Sequence, residues 1–390
     1  MMDAQLEIIN ERKNNTFVYL IAAACFFSNI SQLPLFVSTG MTQKINTPIW
    51  IAVLLYIFLK KRIRIFYETF KVFYAIGIVV ALVLWSTIIT NNSYFSSSVL
   101  QCLIISVFIY CLGTLVGGDF NEQDLKIICV SYAVSAALVS ISIYVEYFMV
   151  GFDITSRQYA YASKNSISQI VFTTVVIFML VRFEKVRIFN WIKNVLIIFE
   201  VVLLMMLKSR ATIIGFLVCL LYIILGKQFN RKLRNLLVVI AIIIILALLF
   251  NENLFNMIVN NIMFAGRDAS SLDSLTSGRI SILSDFTMLI EGHWFTGVGA
   301  LYYECFPLSC VLQFGVVTGI FIIGISYLPI IKGIRFDRSD IYFSILAIVC
   351  IGYGINSFFE GLAPIGPGVK CYFMWLMYGM LYARKIQSNS

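Results

Sequence analysis

The hydrophobic residues of this chain form long uninterrupted runs, and the charged residues fall in short clusters between them. The runs measure about 18 to 25 residues, the length of a helix that crosses a hydrocarbon layer of about 30 Å. The polar–apolar alternation typical of β-strands is absent from the sequence, so helices rather than a barrel must satisfy the backbone. The pattern predicts an all-α polytopic membrane protein.

We expect about 12 transmembrane helices in a single membrane domain that covers residues 1–390. The expected spans are residues 17–38, 47–59, 72–90, 99–117, 125–150, 167–181, 190–207, 210–226, 235–251, 306–331, 340–359 and 370–383. Because twelve crossings return the chain to its starting side, both termini are expected on one side of the membrane.

Composition and charge agree with this class. Hydrophobic residues make up 60% of the chain and charged residues 13%, whereas a soluble domain carries about a quarter charged residues. The net charge of +9 could suggest nucleic acid, but 21 of the 29 Lys and Arg fall in segments that are cytoplasmic if the N-terminus is inside. This positive-inside bias predicts a multi-pass protein of the cytoplasmic membrane with both termini cytoplasmic, a lipid bilayer as partner and no nucleic acid.

One connection is much longer than the others. It covers residues 251–305 and is expected on the extracytoplasmic face, and loops of this length are usually functional. Inside it, Ser277 and Gly278 form a plausible helix start. The apolar residues that follow have the spacing of an amphipathic helix, which would lie on the outer membrane surface or cap the bundle: Ile282, Leu283, Phe286, Leu289 and Ile290.

Eight basic residues remain on the expected outer side, against the positive-inside bias. They are Lys44, Arg157, Lys164, Lys208, Arg210, Arg267, Arg279 and Lys370. For about half of them, including Lys44, the ordinary explanation is that the side chain reaches lipid headgroups. Arg210 is different because it opens the eighth span beside Ser209, a potential helix cap. Free amides, a positive dipole and an arginine together suit a phosphate group, and Arg279 is placed similarly in the long loop.

Arg157 and Lys164 lie in an outer loop, residues 155–166, that also contains aromatic and amide side chains. Rings that stack on sugar faces and amides that bond hydroxyls would suit a glycan. An ordinary polar loop has the same composition, so this pattern leaves both interpretations open.

Several carboxylates share the expected outer face: Asp268, Asp273, Asp285, Glu291, Glu304 and Glu360. Glu304 stands at the mouth of the tenth span and Glu360 at the end of the eleventh. Either could act as a general base for a hydroxyl group, or pair with a nearby arginine. Glu146 and Glu200 fall in or near spans, where an ionisable group needs a partner or a cavity.

Some chemistry is excluded by the sequence. No GxxxxGK[ST] phosphate loop occurs, so the chain is not its own ATPase. His293 is the only histidine, which excludes an HExxH zinc site. No metal site or cofactor is predicted.

Cys305 and Cys310 could pair, although their spacing suits neither a redox motif nor a zinc ribbon. Gly315 and Gly319 form a GxxxG motif typical of close helix packing.

The motifs in this order resemble the O-antigen polymerase and O-antigen ligase superfamily. The resemblance rests on Ser209-Arg210 at the start of a span, Ser277-Gly278-Arg279 in a long outer loop, Gly297-Val298-Gly299, and the following span with Gly315 and Gly319. The segments 164–166 and 356–361 fit the polymerase branch. Ligases of the superfamily carry a His-Asn pair eleven residues before the glycine that Gly315 matches, whereas this chain has Glu304 and Cys305 there.

The resemblance implies a GT-C-like membrane fold and a metal-independent inverting glycosyltransferase without cofactors. Its substrates would be undecaprenyl-pyrophosphate-linked oligosaccharide repeats of an O-antigen, capsule or exopolysaccharide, with a chain-length regulator and a flippase as partners. Arg210 and Arg279 would bind the pyrophosphate with Arg157 and Lys164 assisting. Glu304 or Glu360 would be the catalytic base. The alternatives are a ligase-type glycan transferase and a flippase or transporter of lipid-linked oligosaccharides.

Overall fold

A computed structural model describes residues 2–60, 67–151, 164–181, 187–226, 229–263, 279–336, 340–366 and 369–389. Every regular element in these segments is helical, as the sequence predicts. The α-helices are α1 (Met2–Ile30), α2 (Pro34–Ser38), α3 (Thr42–Lys60), α4 (Tyr67–Thr90), α5 (Ser98–Val116), α6 (Glu122–Val150), α7 (Lys164–Leu180), α8 (Arg187–Met206), α9 (Arg210–Leu225), α10 (Arg231–Phe250), α11 (Glu252–Phe255), α12 (Arg279–Ile290), α13 (Phe306–Gly333), α14 (Ile341–Ser357) and α15 (Val369–Asn389). A 3₁₀ turn (Gly117–Asp119) and a π-helix (Asn256–Met263) complete them.

Six helices within the described segments are long and apolar enough to cross a membrane. They are Thr69–Thr90, Ser98–Asp119, Glu122–Val150, Ile188–Met206, Arg231–Phe250 and Phe306–Ile334. Four shorter apolar helices accompany them, at Thr16–Ile30, Lys164–Leu180, Arg210–Leu225 and Ile341–Ser357. The prediction of a multi-helix membrane protein is thus supported, while the figure of twelve spans and the GT-C-like arrangement stay predictions.

The contacts between α7, α9 and α14 give the relative directions of these three helices. α9 and α14 are antiparallel, because contacts join Thr212 to Asn356 and, further along α9, Cys219 to Ile348. α7 and α9 are parallel. Their contacts join Ser168 to Thr212 and Phe172 to Phe216. α7 and α9 therefore begin at the same end of the bundle, and α14 ends there.

α5 and α15 form the closest helix pair in the core. A Cβ atom at Gly113 would lie 2.5 Å from the Leu376 carbonyl oxygen, and one at Gly379 would lie 2.3 Å from that of Tyr110. Small residues let two backbones approach where lipid supplies no hydrophobic driving force. In contrast, α10 has no buried residue at all, as expected for a helix that faces lipid on most sides.

α13 is not the continuous span that the sequence predicts over residues 306–331. Gly315 has φ 77° and ψ 170° within it, and the chain reverses there. The ring of Phe306 lies 6.1 Å from that of Tyr327, and a Cβ atom at Gly319 would lie 2.9 Å from the Val311 Cα. α13 is therefore a helical hairpin, with a short arm, Phe306–Phe314, folded against a long arm, Val316–Gly333. We call it the α13 hairpin.

The segment before α13 closes the bend. The Val298 amide donates to the Leu312 carbonyl (2.9 Å), and the Val316 amide donates to that of Trp294 (2.7 Å). These bonds use backbone groups that the break in the helix would otherwise leave unpaired. Gly315 meets this segment so closely that its Cβ would lie 2.2 Å from the Phe295 carbonyl oxygen. Gly315 is thus the bend itself, and only Gly319 packs as the GxxxG motif predicts.

A helix, α12, lies in the long loop where the sequence predicts an amphipathic helix, and its amphipathic role and extracytoplasmic position stay predictions. It begins at Arg279, and Ser277 and Gly278, the predicted start, lie outside the described residues. Phe286 and Ile290 are buried against Tyr303 and Leu312, whereas Leu283 and Leu289 are exposed, so only part of the predicted apolar face packs on the α13 hairpin. The described carboxylates Asp285 and Glu291 are exposed.

Two further expectations concern buried groups. Glu200 in α8 is completely buried and accepts a hydrogen bond from the Ser140 hydroxyl of α6 (2.7 Å), which supplies the partner that a carboxyl inside a bundle requires. All nine cysteines are free, including Cys305 and Cys310, so no disulfide joins these two residues.

Candidate functional site

The predicted site residues that the structure describes lie at one end of the bundle. Lys164 begins α7, Arg210 begins α9, and both side chains are partly buried. Glu304 is exposed just before the α13 hairpin, and Glu360 is partly buried just after α14. The predicted site residue Arg157 lies outside the described residues, as do Arg267, Asp268 and Asp273 from the charged residues expected on the outer face. Arg279 is the first residue of α12, but its side chain is also outside them.

A buried hydrogen-bond network joins the three helices at this end. The hydroxyls of Ser168 in α7 and Thr212 in α9 are 2.9 Å apart. Thr212 also donates to the Asn356 side-chain oxygen in α14 (3.3 Å). The Asn356 amide nitrogen donates to the Gly352 carbonyl (3.1 Å). Because all these groups are buried and bonded, the ends of α7, α9 and α14 are held in a fixed arrangement.

The charged residues follow directly from this network. Lys164 lies one turn outward from Ser168, Arg210 lies beside Thr212 at the start of α9, and Glu360 follows Asn356 past the end of α14. Residues far apart in sequence are therefore brought to the same level of the bundle. The sequence predicted each of them separately, and the helix directions bring them together.

Lys208 is a further cation at this end of the bundle, one that the sequence motifs did not assign to the site. Only 2% of it is exposed, and its backbone has φ 50°. A left-handed conformation is costly for any residue with a Cβ and is often retained at functional sites. The sequence signal was present in the run Lys208-Ser209-Arg210, which carries two cations at one helix start.

Ser209 does not cap α9 as expected. It occupies the cap position, but its side chain makes no bond to a first-turn amide. Its hydroxyl instead lies 3.1 Å from the Thr212 hydroxyl. The first-turn amides of α9 thus lack a side-chain cap, and with the helix dipole and Arg210 they form an electropositive end.

The two carboxylates converge on Tyr302. A Cβ atom at Gly361, next to Glu360, would lie 3.1 Å from Tyr302 Cε2 and 2.1 Å from the Tyr303 carbonyl oxygen. The loop that follows α14 therefore touches the segment that carries Glu304. The pKa of Tyr302 is raised to about 12, first by desolvation and then by the Glu360 and Glu304 carboxylates. The sequence could not predict this contact, because it joins two loops nearly sixty residues apart.

The site is set back from the tip of the α13 hairpin. The hydroxyl of Tyr327, on the long arm, bonds to that of Ser357 at the end of α14. From Tyr327 the arm continues to Val316 for about 16 Å, at 1.5 Å per residue. The helices that carry the site are also short, with 17 residues in α7, 16 in α9 and 17 in α14. At about 25 Å each they fall short of a hydrocarbon layer of about 30 Å.

The arrangement combines cations with carboxylates and a phenol at one recessed end of the bundle. Lys164, Lys208 and Arg210 lie on the side of α7 and α9, while Glu304 and Glu360 lie on the side of α14 and the α13 hairpin. Such a site can bind an anionic group at one side and accept a proton at the other.

Comparison with known proteins identifies part of this region. Residues 194–309 match the family model described as O-Antigen ligase, and no curated protein matches the chain. The match runs from α8 to the short arm of the α13 hairpin, and so includes Arg210 and Glu304. Together with this match, the apolar helices indicate a multi-pass membrane protein. Residues 194–309 are thus similar to the O-antigen ligase family, which supports the superfamily resemblance that the sequence motifs indicate.

Proposed function

We propose that this protein is a polymerase of undecaprenyl-pyrophosphate-linked oligosaccharide repeats at the outer face of the cytoplasmic membrane. One observation carries the proposal: Lys164, Arg210 and Glu360 are held at one end of the bundle through the network of Ser168, Thr212 and Asn356. A reaction that expels a lipid diphosphate and deprotonates a sugar hydroxyl needs both kinds of group within one site.

The reaction follows from these roles. An acceptor hydroxyl oxygen attacks the anomeric carbon of the donor repeat, and the bond from that carbon to the diphosphate oxygen breaks. The hydroxyl proton passes to Glu304 or Glu360. The diphosphate leaves as an anion held by Arg210, with Arg279, Arg157 and Lys164 assisting, so that guanidinium groups do the work of a metal ion. Attack from the face opposite the leaving group inverts the anomeric centre.

Glu304 also bears on the choice between polymerase and ligase. It stands eleven residues before Gly315, at the position where ligases of the superfamily carry the histidine of a His-Asn pair. A carboxylate there, with a second one at Glu360 on the same tyrosine, favours a polymerase with a carboxylate base.

A flippase is the second candidate, and the distribution of buried charge argues against it. Among the residues that the structure describes, the buried acidic and basic side chains are Asp124, Glu200 and Lys208. Asp124 caps the start of α6, and Glu200 is bonded to Ser140. Asp124 lies in the first turn of α6 and Lys208 directly before α9, so of these three only Glu200 lies in the interior of a helix, whereas a flippase needs charged groups along its path.

Substitution of Arg210 tests the proposal. In membranes that contain lipid-linked single repeats, Arg210→Ala should reduce polymer formation by about 10²-fold or more, the usual effect of removing one donor to a developing anion. Arg210→Lys should restore little, because an ammonium lacks the planar fork. The matched control is Lys44→Ala, an exposed outer cation on α3. Full-length polymer from Arg210→Ala would end the assignment.

Two amide variants test the base. Glu304→Gln and Glu360→Gln preserve size and remove the ability to accept a proton. The variant that lacks the base should insert normally and accumulate unpolymerised lipid-linked repeats. If both variants make normal polymer, neither residue is the base.

Activity that persists in a chelator would agree with the metal-independent mechanism, and its loss would contradict it.

A further inference from the structure

Tyr302 presents an aromatic ring at the site although its neighbour is buried. Tyr302 is 61% exposed, whereas Tyr303 is 7% exposed and its ring lies 6.1 Å from that of Phe286. The buried ring of Tyr303 fixes the backbone, so the ring of Tyr302 is directed away from the core. At this position, beside Glu304 and Glu360, the exposed ring offers an aromatic face to a ligand.

The position of this ring is rigidly set. Leu301 donates its amide to the Gly299 carbonyl (2.8 Å), and Gly361 touches both Tyr302 and the Tyr303 carbonyl as described above. Any side chain at position 361 would displace this segment. The exposed ring is thus held between two loops rather than placed on a free one, which lowers the cost of ordering it on binding.

The groups around the ring indicate the chemistry of the ligand. Glu304 follows two residues after Tyr302, and Glu360 precedes the glycine that touches it. Two carboxylates disfavour an anion such as a diphosphate at this side. They accept hydrogen bonds from hydroxyl groups, while an aromatic face accommodates the C–H face of a sugar ring. Ring and carboxylates together suit a pyranose.

We propose that Tyr302 is the platform on which a pyranose of the acceptor repeat stacks, with Glu304 and Glu360 accepting hydrogen bonds from its hydroxyls. This inference rests on the proposed function, because it supplies the acceptor half of the transfer. The acceptor sugar lies on the side of α14 and the α13 hairpin, opposite the cations of α7 and α9. Its hydroxyl then meets the carboxylate that removes the proton.

A binding measurement tests the platform without requiring turnover. The probe is the water-soluble repeat oligosaccharide, released from its lipid by mild acid and titrated against the full chain in lipid nanodiscs. Tyr302→Ala should weaken binding about tenfold or more, and Tyr302→Phe and Tyr302→Trp should stay within about threefold of wild type, because they keep the ring. Phe295→Ala is the matched control, since Phe295 is 72% exposed in the same loop. Unchanged binding by Tyr302→Ala, or equal losses in the Phe and Ala variants, overturns the inference.

Kinetics separate this inference from the proposed function. With lipid-linked repeats as substrate, Tyr302→Ala should raise KM with a smaller change in kcat, whereas loss of the base lowers kcat. A fall in kcat alone for Tyr302→Ala contradicts the platform. If the wild type binds the soluble repeat through Tyr302 but makes no polymer from lipid-linked repeats, the proposed function fails and the sugar platform stands.

Discussion

The ring of Phe306 lies 6.1 Å from the ring of Tyr327, although a straight helix would separate these residues by about 31 Å. This contact exists because the chain reverses at Gly315. The reversal sends the short arm of the α13 hairpin back along the long arm, and Glu304 is thereby delivered to the end of α14 instead of to the tip of the hairpin.

Gly315 should consequently tolerate no side chain. Its φ of 77° and ψ of 170° lie in a region that is almost exclusive to glycine, at a cost of about 1–3 kcal/mol for other residues. A Cβ would also meet the Phe295 carbonyl at 2.2 Å. We expect Gly315→Ala to lower the melting temperature of the purified protein and to abolish activity.

Gly324→Ala is the matched control for this change. Gly324 belongs to the long arm, and a Cβ added there meets nothing within 4 Å. Because alanine favours a helix by about 1 kcal/mol over glycine, the control should melt at the same temperature or higher. Equal melting of the two variants would show that the bend does not require glycine.

The Tyr302 phenol provides a pH-dependent test of the site. Its pKa is raised to about 12 by desolvation, then by Glu360 and then by Glu304. Glu360→Gln should therefore lower this pKa more than Glu304→Gln, and both variants should keep it above the ordinary value of about 10. The measurement is the ultraviolet absorbance of phenolate, taken as a difference from Tyr302→Phe. A pKa that neither variant lowers would mean that the carboxylates are not beside the ring.

The sign of the stability effect follows from the same shift. A phenol whose pKa is raised on folding binds its proton more tightly in the folded state. The contribution of the Tyr302 phenol to the free energy of unfolding is complete below the unfolded pKa of about 10. It is lost as the pH rises from there to about 12. Because Tyr302 is largely exposed, solvent screening keeps the contribution small. Tyr302→Phe should accordingly show little change in melting temperature at neutral pH.

The helices were predictable from the sequence because apolar runs of the required length are visible in it. The bend in α13 was not, since the run Val311–Ile322 has only Gln313 and Thr318 as polar residues and glycine alone does not distinguish a bend from close packing. The bend depends on the Trp294 and Phe295 backbone, which contacts it from outside the run. Lys164, Arg210, Glu304 and Glu360 were likewise recognisable as residue types, but their convergence depends on helix directions and on Gly361.

Thr212 is expected to position Arg210. Its buried hydroxyl contacts those of Ser168 and Ser209 and the Asn356 side chain. Thr212→Val preserves the shape but leaves these buried polar groups short of a partner, at a cost of about 1–3 kcal/mol. Polymer formation per folded molecule should fall as well, since α9 begins two residues earlier at Arg210.

Thr212→Ser is the conservative control because it keeps the hydroxyl and removes only a methyl group. It should recover most of the activity that Thr212→Val loses. The two variants are compared at equal amounts of folded protein, judged by size-exclusion chromatography, so that instability does not imitate a loss of turnover. If Val and Ser behave alike in that comparison, the hydroxyl has no positioning role.

Labelling of introduced cysteines tests which end of the bundle faces outward. Phe358, just past the end of α14, is 57% exposed, and Gln387, near the end of α15, is exposed. The native cysteines give little background, since all are buried except Cys305, which is replaced by serine in both variants. In intact cells a membrane-impermeant maleimide should label Phe358→Cys, whereas Gln387→Cys should react only after the membrane is opened.

Because Thr212 and Asn356 join the ends of α9 and α14, the reverse pattern would place Arg210 on the cytosolic side. Lipid-linked repeats exposed at the outer face would then be out of its reach, and neither the polymerase nor the Tyr302 platform could hold.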